Sequence, residues 1–174
     1  VKHMGGTFYY GRRLGEDITI SGLFDAGYGA VFLGIGCAEG AYLGLPDEDR
    51  TLKGYRNGID FLLQCEKGVA VNNPPVFEGD VVVVGCGNVA MDCCRTAQRT
   101  ATGKVHVVYR RTIKEASADH EEIEAAEAEG VEFHFLTNPV AIVSESGEVT
   151  GVRVTKMELT EPDARGRRGV KAVP

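Results

Sequence analysis

A glycine-rich turn between an apolar run and a helical pattern is the feature that most constrains the fold of this chain. Residues 81–90 read VVVVGCGNVA, so four valines precede the spacing G-x-G-x-x-A. The valines predict a central strand that is buried on both faces. Residues 88–100 predict a helix, and residues 104–109 predict the next strand. Strand, helix and strand in this order favour a parallel sheet, because the right-handed crossover packs the helix back onto the sheet. The expected fold class is therefore α/β.

The pattern continues to the end of the chain. Residues 119–129 predict a helix, with Asp119 and Glu122 as a capping box and Gly130 as its C-terminal cap. Residues 131–136 predict a third strand. Two alternating runs on either side of Ser146-Gly147 in AIVSESGEVTGVRVTKMEL predict a β-hairpin or meander. Residues 80–174 are thus expected to form a Rossmann-like domain.

The upstream residues are less regular. GTFYYG and GAVFLGIG predict two strands, the second buried over residues 30–33, around a short helical or loop segment in EDITISGLFDAG. Residues 41–79 predict a connector, because Pro74 and Pro75 exclude a helix interior there. One helix is predicted within the connector, at about residues 58–67.

The glycine turn predicts a dinucleotide site, since it lies between a strand and a helix. Gly85 allows a tight turn, Gly87 lets the backbone approach a pyrophosphate, and Ala90 lets the helix pack close to the strand. The phosphates are expected at the helix N-terminus, where free N–H groups and the helix dipole favour anions. A glycine-rich turn without a ligand is the alternative.

The end of the second strand indicates which dinucleotide binds. NAD-binding units usually carry Asp or Glu there for the ribose 2′-hydroxyl, whereas arginine accommodates a 2′-phosphate. In this chain the strand VHVVY ends in Arg110 and Arg111, whose guanidinium groups can bind phosphate oxygens in pairs. These arginines predict NADPH, and a solvated surface pair without a ligand is the alternative.

Composition and cysteine spacing exclude several classes of protein. The net charge of -6 and pI near 5.3 argue against a general nucleic-acid or anionic-membrane surface. No membrane-length apolar run or signal-peptide pattern occurs, so the cytoplasm is the expected location. The five cysteines lack cluster or zinc spacing. Val89, Cys93 and Ala97 share one helical stripe with Cys94 beside it, so the thiols are interpreted as small core residues and no metal ligand is predicted.

Three longer stretches carry a family resemblance: VVVVGCGNVAMDCCRTAQR, VVYRRTIKEASADHEEIEAAEAEGVEFHFL and TEPDARGRRG. They resemble the NAD(P)H-binding domain of the glutamate synthase small (beta) subunit and its relatives, the FAD-linked, iron–sulfur-dependent pyridine-nucleotide oxidoreductases. GAVFLGIGCAEGAYLGLPDEDRTLKG resembles the point where that family's chain leaves its flavin domain. The resemblance covers nearly the whole chain and implies residues 1–40 as a partial FAD-domain segment.

The resemblance implies that NADPH passes a hydride to FAD and that the flavin passes electrons to iron–sulfur clusters. It implies four residues along the pyrophosphate: Cys86, Gly87, Asn88 and Val89. Arg110 and Arg111 would meet the adenosine 2′-phosphate. After the arginine pair, relatives often read Glu-Met-Pro-Ala where this chain has Glu115 followed by Ala-Ser-Ala.

The flavin-binding glycine motif, the cysteine clusters and the last strand of the family's nucleotide domain are missing from the 174 residues. The chain is therefore expected to be a fragment, with FAD and iron–sulfur clusters only in the full-length protein. The expected partners are the remaining flavin domain and an electron-acceptor subunit or ferredoxin-like protein. No acid–base catalytic residue is predicted, because hydride transfer between nicotinamide and flavin depends on the cofactors and their positioning.

Two other functions stay open at this point. A nucleotide-sensing Rossmann module would share the phosphate loop without a redox partner, although the flavin-domain-like segment upstream disfavours it. An S-adenosylmethionine-dependent methyltransferase also has a glycine-rich first loop. That enzyme class requires an acidic residue at the end of the second strand, where this chain has Arg110.

Overall fold

A computed structural model describes residues 2–36, 39–164 and 166–173 of the 174-residue chain. Contacts divide the chain into two compact units, residues 1–37 and residues 38–174. None of the described helices is long and apolar enough to cross a lipid bilayer. The two units are described separately below.

The first unit contains little regular structure. A 3-10 turn spans Lys2–Met4 and a short helix, α1, spans Ile20–Asp25, where the Thr19 side chain accepts the Gly22 N–H at 3.0 Å. A short helical or loop segment is expected here, and the structure forms a helix. The two predicted strands, in GTFYYG and GAVFLGIG, are wrong: both stretches are irregular, and none of the unit's described residues is buried. A strand needs a neighbour for its N–H and C=O groups, and neither stretch pairs with one among the described residues.

The second unit is built on a parallel sheet, as predicted. Its strands lie in the order β1-β2-β3, and both neighbouring pairs are parallel. Two helices, α3 and α4, connect the strands, and a third, α2, precedes them. The bounds are α2 Gly58–Ala70, β1 Val81–Val84, α3 Asn88–Thr100, β2 Val105–Tyr109, α4 His120–Ala128 and β3 Glu132–Phe135.

The core lies on one face of this sheet. Val105 and Val107 of β2 are fully buried and share a cluster with Ile123 of α4 and with the buried side of α3. Helix α2 packs against α3 and adds Phe61 and Cys65 to the same cluster. The helices therefore hold β1 and β2, and the loops at their carboxyl ends, in fixed positions.

Two expectations about burial are wrong. The valines of β1 were expected to be covered on both faces, but Val82 is 39% and Val84 37% exposed. The reason is that β2, not β1, is central, and β1 is an edge strand in the described structure. Val89 was expected in the buried stripe of α3 but is 47% exposed, whereas Met91 is buried.

An antiparallel meander follows the parallel sheet. Strand β4 spans Thr137–Glu145, β5 spans Glu148–Pro162 and β6 spans Arg168–Ala172, paired in that order. The predicted turn is confirmed, with Ser146 at φ 52° and Gly147 at φ 80°. Positive φ at both positions is the conformation that suits a two-residue hairpin turn.

The ends of α4 match the prediction in part. Gly130 has φ 98° and follows the last turn, as a C-terminal glycine should. Asp119 precedes the first turn, but its side chain makes no capping hydrogen bond, so the expected capping box with Glu122 is wrong. A capping box occurs instead at Thr112 and Glu115, in the loop after β2.

Candidate nucleotide-binding site

The turn after β1 has the geometry that its glycines require. Gly85 has φ 123°, a conformation that side chains disfavour, and its N–H donates to the Val108 carbonyl at 3.0 Å. A Cβ on Gly85 would lie 3.8 Å from the Cβ of Ala90. The small residue at position 90 thus lets α3 begin close against the end of β1.

Helix α3 begins without a side-chain cap. Gly87 occupies the cap position and offers no side chain, so the N–H groups of the first turn have no capping acceptor. Asn88 and Val89 are exposed at this end. Free N–H groups and the positive end of the helix dipole favour an anion at this position.

Cys86 lies between the two glycines and points into the core. Its side chain is 3% exposed, and burial raises the pKa of its thiol. Its carbonyl accepts the N–H groups of Ser117 and Ala118 at 3.1 and 3.2 Å. Cys86 is therefore suited to shape the turn rather than to contact a ligand through its sulfur.

The loop after β2 is ordered by its own hydrogen bonds. The Glu115 carboxylate accepts the Thr112 hydroxyl at 2.6 Å and the Thr112 N–H at 3.1 Å. The hydrogen bond from the Thr112 hydroxyl lowers the pKa of Glu115, so the carboxylate is ionised at neutral pH. The Tyr109 hydroxyl donates to the Glu115 carbonyl at 2.6 Å. The two arginines precede this 3-10 turn, Ile113–Glu115, and are held at a fixed edge of the sheet.

Arg110 and Arg111 carry positive charge that no acid among the described residues pairs with. Neither side chain forms an ion pair within the described part of the chain, Arg110 is exposed, and Arg111 is half-buried. The Nε atom of Arg111 is buried and has no hydrogen-bond partner among described residues. By contrast, Arg95 and Arg99 on α3 both donate to the Glu129 carboxylate, Arg95 at 2.6 Å and Arg99 at 3.2 Å. The free pair can therefore accept an anionic ligand.

Ser117 links the two loops. A Cβ on Gly87 would lie 3.0 Å from the Ser117 hydroxyl, which is tighter than an ordinary contact. Glycine at position 87 thus keeps the space between the glycine turn and the arginine loop. Sequence reasoning missed Ser117 and Thr112, although TIKE at residues 112–115 fits the capping-box pattern S/T-x-x-E and could have located the turn.

The cysteines of this unit behave as core residues, as predicted. Cys65, Cys86, Cys93 and Cys94 are buried and free. Burial raises the pKa of Cys93 to about 12 and that of Cys94 to about 11, so both thiols stay protonated at neutral pH. Cys37 lies outside the described residues.

Comparison with known proteins finds a family and relatives whose names refer to pyridine nucleotides. The family model described as "Pyridine nucleotide-disulphide oxidoreductase" matches residues 13–165. The NADP(+)-dependent formate dehydrogenase subunit beta of Moorella thermoacetica is 41% identical over all of this chain and 24% of its own length. The NADPH-Fe(3+) oxidoreductase subunit beta of Geobacter sulfurreducens is 40% identical over all of this chain and 25% of its own length.

A third relative matches the resemblance noted in the sequence. The glutamate synthase [NADPH] small chain of Escherichia coli is 37% identical over 98% of this chain and 37% of its own length. The chain therefore spans between 24% and 37% of the length of these three relatives.

Proposed function

Because the chain belongs to the pyridine nucleotide-disulphide oxidoreductase family, we propose that it is the NADPH-binding part of an oxidoreductase. In the whole protein, NADPH passes a hydride to FAD, and electrons continue to iron–sulfur centres and an acceptor subunit or ferredoxin-like partner. The domain boundaries follow: residues 1–40 belong to a flavin domain, 41–79 form a connector, and 80–174 bind the nucleotide. The names of the relatives support a redox role, since all three contain NADP(+) or NADPH and describe a dehydrogenase, an oxidoreductase and a synthase.

One observation carries the proposal: the uncapped start of α3 and an unpaired arginine loop lie at the same end of neighbouring parallel strands. Ligands of open parallel sheets bind beyond the carboxyl ends of the strands. Six residues form the pyrophosphate cradle: Gly85, Cys86, Gly87, Asn88, Val89 and Ala90. Arg110 and Arg111 bind the 2′-phosphate that distinguishes NADPH from NADH.

The residues fit this cofactor. The space left by glycine at position 87 keeps the turn open beside Ser117, and the buried Nε of Arg111 has no partner of its own. NADPH supplies the hydride when bound, while the chain contributes binding and orientation. The four described cysteines do not fit an iron–sulfur cluster: they share the apolar core, but among the described residues no three of their sulfur atoms come close enough to bind one ion. The flavin and clusters are accordingly assigned to other parts of a longer protein.

The test is calorimetric titration with NADPH and NADH. The wild-type chain should bind NADPH more tightly, because charged hydrogen bonds to the 2′-phosphate contribute on the order of 1.5–3 kcal/mol. Replacing both arginines, in Arg110→Ala/Arg111→Ala, should weaken NADPH binding roughly ten- to a hundredfold and leave NADH binding nearly unchanged.

Two controls distinguish a specific effect of the two arginines from a general loss of positive charge and from a change in the shape of the glycine turn. Arg12→Ala/Arg153→Ala removes two exposed positive charges elsewhere and should leave the NADPH:NADH ratio intact. Gly87→Val should weaken both nucleotides equally, because it obstructs the shared pyrophosphate site. Equal wild-type affinities for the two nucleotides, with a ratio unchanged in the double arginine variant, would reject the assigned role of Arg110 and Arg111.

A further inference from the structure

Three potential metal ligands meet on the sheet face opposite the core. His106 lies on β2, and Glu132 and His134 lie on β3, with His106 paired to Glu132 in the parallel register. Side chains alternate along a strand, so His106 points away from the face that buries Val105 and Val107. His134 and Glu132 lie on the same side, two residues apart.

The distances within this group match a coordination shell. Nδ1 of His106 lies 3.0 Å from Nε2 of His134 and 3.3 Å from Oε2 of Glu132. All three ligand atoms lie within 4.8 Å of one another. A tetrahedral ion with bonds of about 2.0–2.1 Å holds its ligand atoms about 3.3–3.4 Å apart. Small side-chain rotations would therefore complete the geometry.

The neighbouring charges orient the donors. Oε1 of Glu132 accepts Lys104 Nζ at 2.6 Å, which leaves Oε2 directed toward His106. Asp80 accepts the Lys104 N–H at 2.8 Å through Oδ1 and presents Oδ2 at 4.0 Å from Nε2 of His106. A carboxylate beside the second ring nitrogen favours the tautomer whose other nitrogen is free to bind a metal.

We propose that His106, Glu132 and His134 form a site for a divalent transition metal, with Zn²⁺ as the best match to two imidazoles and one carboxylate. Nδ1 of His106, Oε2 of Glu132 and Nε2 of His134 coordinate the ion, and water completes the shell. The site lies on a strand face, away from the carboxyl-end loops that form the nucleotide site. Its role is structural: it ties the edge strand β3 to β2.

The sequence alone predicts no metal ligand, because the cysteines lack metal-binding spacing and His106 is far along the chain from Glu132 and His134. One histidine on β2 and a Glu-x-His pair on β3 are separated by a whole helix, and only the strand register brings them together. No short spacing motif marks such a site.

The experiment is titration of the 174-residue protein with ZnCl₂ in a non-chelating buffer, followed by calorimetry. One ion should bind per chain. His106→Gln and His134→Gln should each weaken that binding at least tenfold. His120→Gln is the matched control, because His120 is exposed at the start of α4, the helix that packs on the core face of the sheet rather than on the face of the group. The affinity of this variant should equal that of the wild type.

Two further measurements secure the result. All variants are also prepared in a Cys37→Ser background, because a thiol outside the described residues can bind zinc. Zn²⁺ should raise the thermal midpoint of the wild type and of His120→Gln but not that of His134→Gln, since a ligand of the native state stabilises it. Absence of saturable binding, or binding that neither His106→Gln nor His134→Gln changes, would show that the two imidazoles only share a hydrogen bond.

Discussion

Two apolar runs in this chain look alike and fold differently. Residues 29–36 read GAVFLGIG and residues 81–87 read VVVVGCG, and each is a stretch of apolar residues that ends in alternating glycines. The second forms strand β1, paired in register with β2. The first is irregular, with Phe32 94% and Ile35 76% exposed.

The difference is the presence of a partner. Strand β1 pairs with β2, which follows it after a single crossover helix, and the helices cover one face of this strand pair. Residues 2–36 offer no paired strand, and none of their described residues reaches the core. An apolar run thus predicts burial, but the strand forms only where neighbouring backbone and side chains are available.

The largest expected effect compares two isoleucines. Ile123 on α4 is fully buried, so Ile123→Ala removes core contacts and should lower the free energy of unfolding by about 2–5 kcal/mol. Ile35 is 76% exposed, and Ile35→Ala should change it by less than about 0.5 kcal/mol. Urea unfolding followed by far-UV circular dichroism measures both. Equal losses in the two variants would mean that residues 29–36 are packed after all.

The same contrast explains which features could be predicted from sequence. Strand 81–84 and helix 88–100 match their predicted bounds, because periodicity and the glycine turn are local signals. The edge position of β1 depends on which strands pair, and the local sequence pattern does not indicate that pairing. The exposure of Val89 depends on which elements pack against α3, and the local pattern does not indicate that either.

The candidate site divides in the same way. Gly85, Gly87 and Ala90 follow from the strand–turn–helix context, and Arg110 and Arg111 follow from their place directly after the second strand. The other three proposed binding residues, Cys86, Asn88 and Val89, come from the family resemblance. The contact of Ser117 with the glycine turn joins positions 30 residues apart in the chain. The expected capping box at Asp119 is wrong, since its side chain makes no capping hydrogen bond, and the capping box that forms lies at Thr112 in the loop after β2.

A second pair of variants compares two glycines. Gly85 has φ 123°, and a Cβ added there would make only an ordinary van der Waals contact with Ala90. Gly85→Ala should therefore lower the free energy of unfolding by about 1–3 kcal/mol through backbone strain alone. Gly29 has no such φ and open space around a Cβ. Gly29→Ala should therefore be neutral or stabilise by up to about 1 kcal/mol, by restricting the unfolded chain. The free energies come from the same urea titrations.

If Gly85→Ala proved as harmless as Gly29→Ala, the turn after β1 would have to adopt another backbone conformation. The phosphate cradle proposed on that turn would then be wrong as well. NADPH titration of Gly85→Ala therefore provides a second, independent readout of the same conformation.

The smallest expected effect compares two surface ion pairs. Glu129 accepts both Arg95 and Arg99 and is 29% exposed, whereas Glu16 pairs with Arg13 and is 63% exposed. Exposed pairs contribute little, because water and salt screen them and ordering the side chains costs entropy. Glu129→Gln should lower the urea midpoint slightly at low salt, and Glu16→Gln should leave it unchanged. In 1 M NaCl the effect of Glu129→Gln should largely disappear.

The pH dependence of the Glu129 pair has a defined sign. The hydrogen bond from Arg95 lowers the pKa of Glu129 in the folded protein below that of the unfolded chain. The stabilisation is therefore complete above about pH 5 and is lost as the pH falls through the folded-state pKa. The difference in urea midpoint between wild type and Glu129→Gln should shrink steadily in acid. A difference that persisted there would mean that Glu129 stabilises the fold through packing of its side chain rather than through its charge.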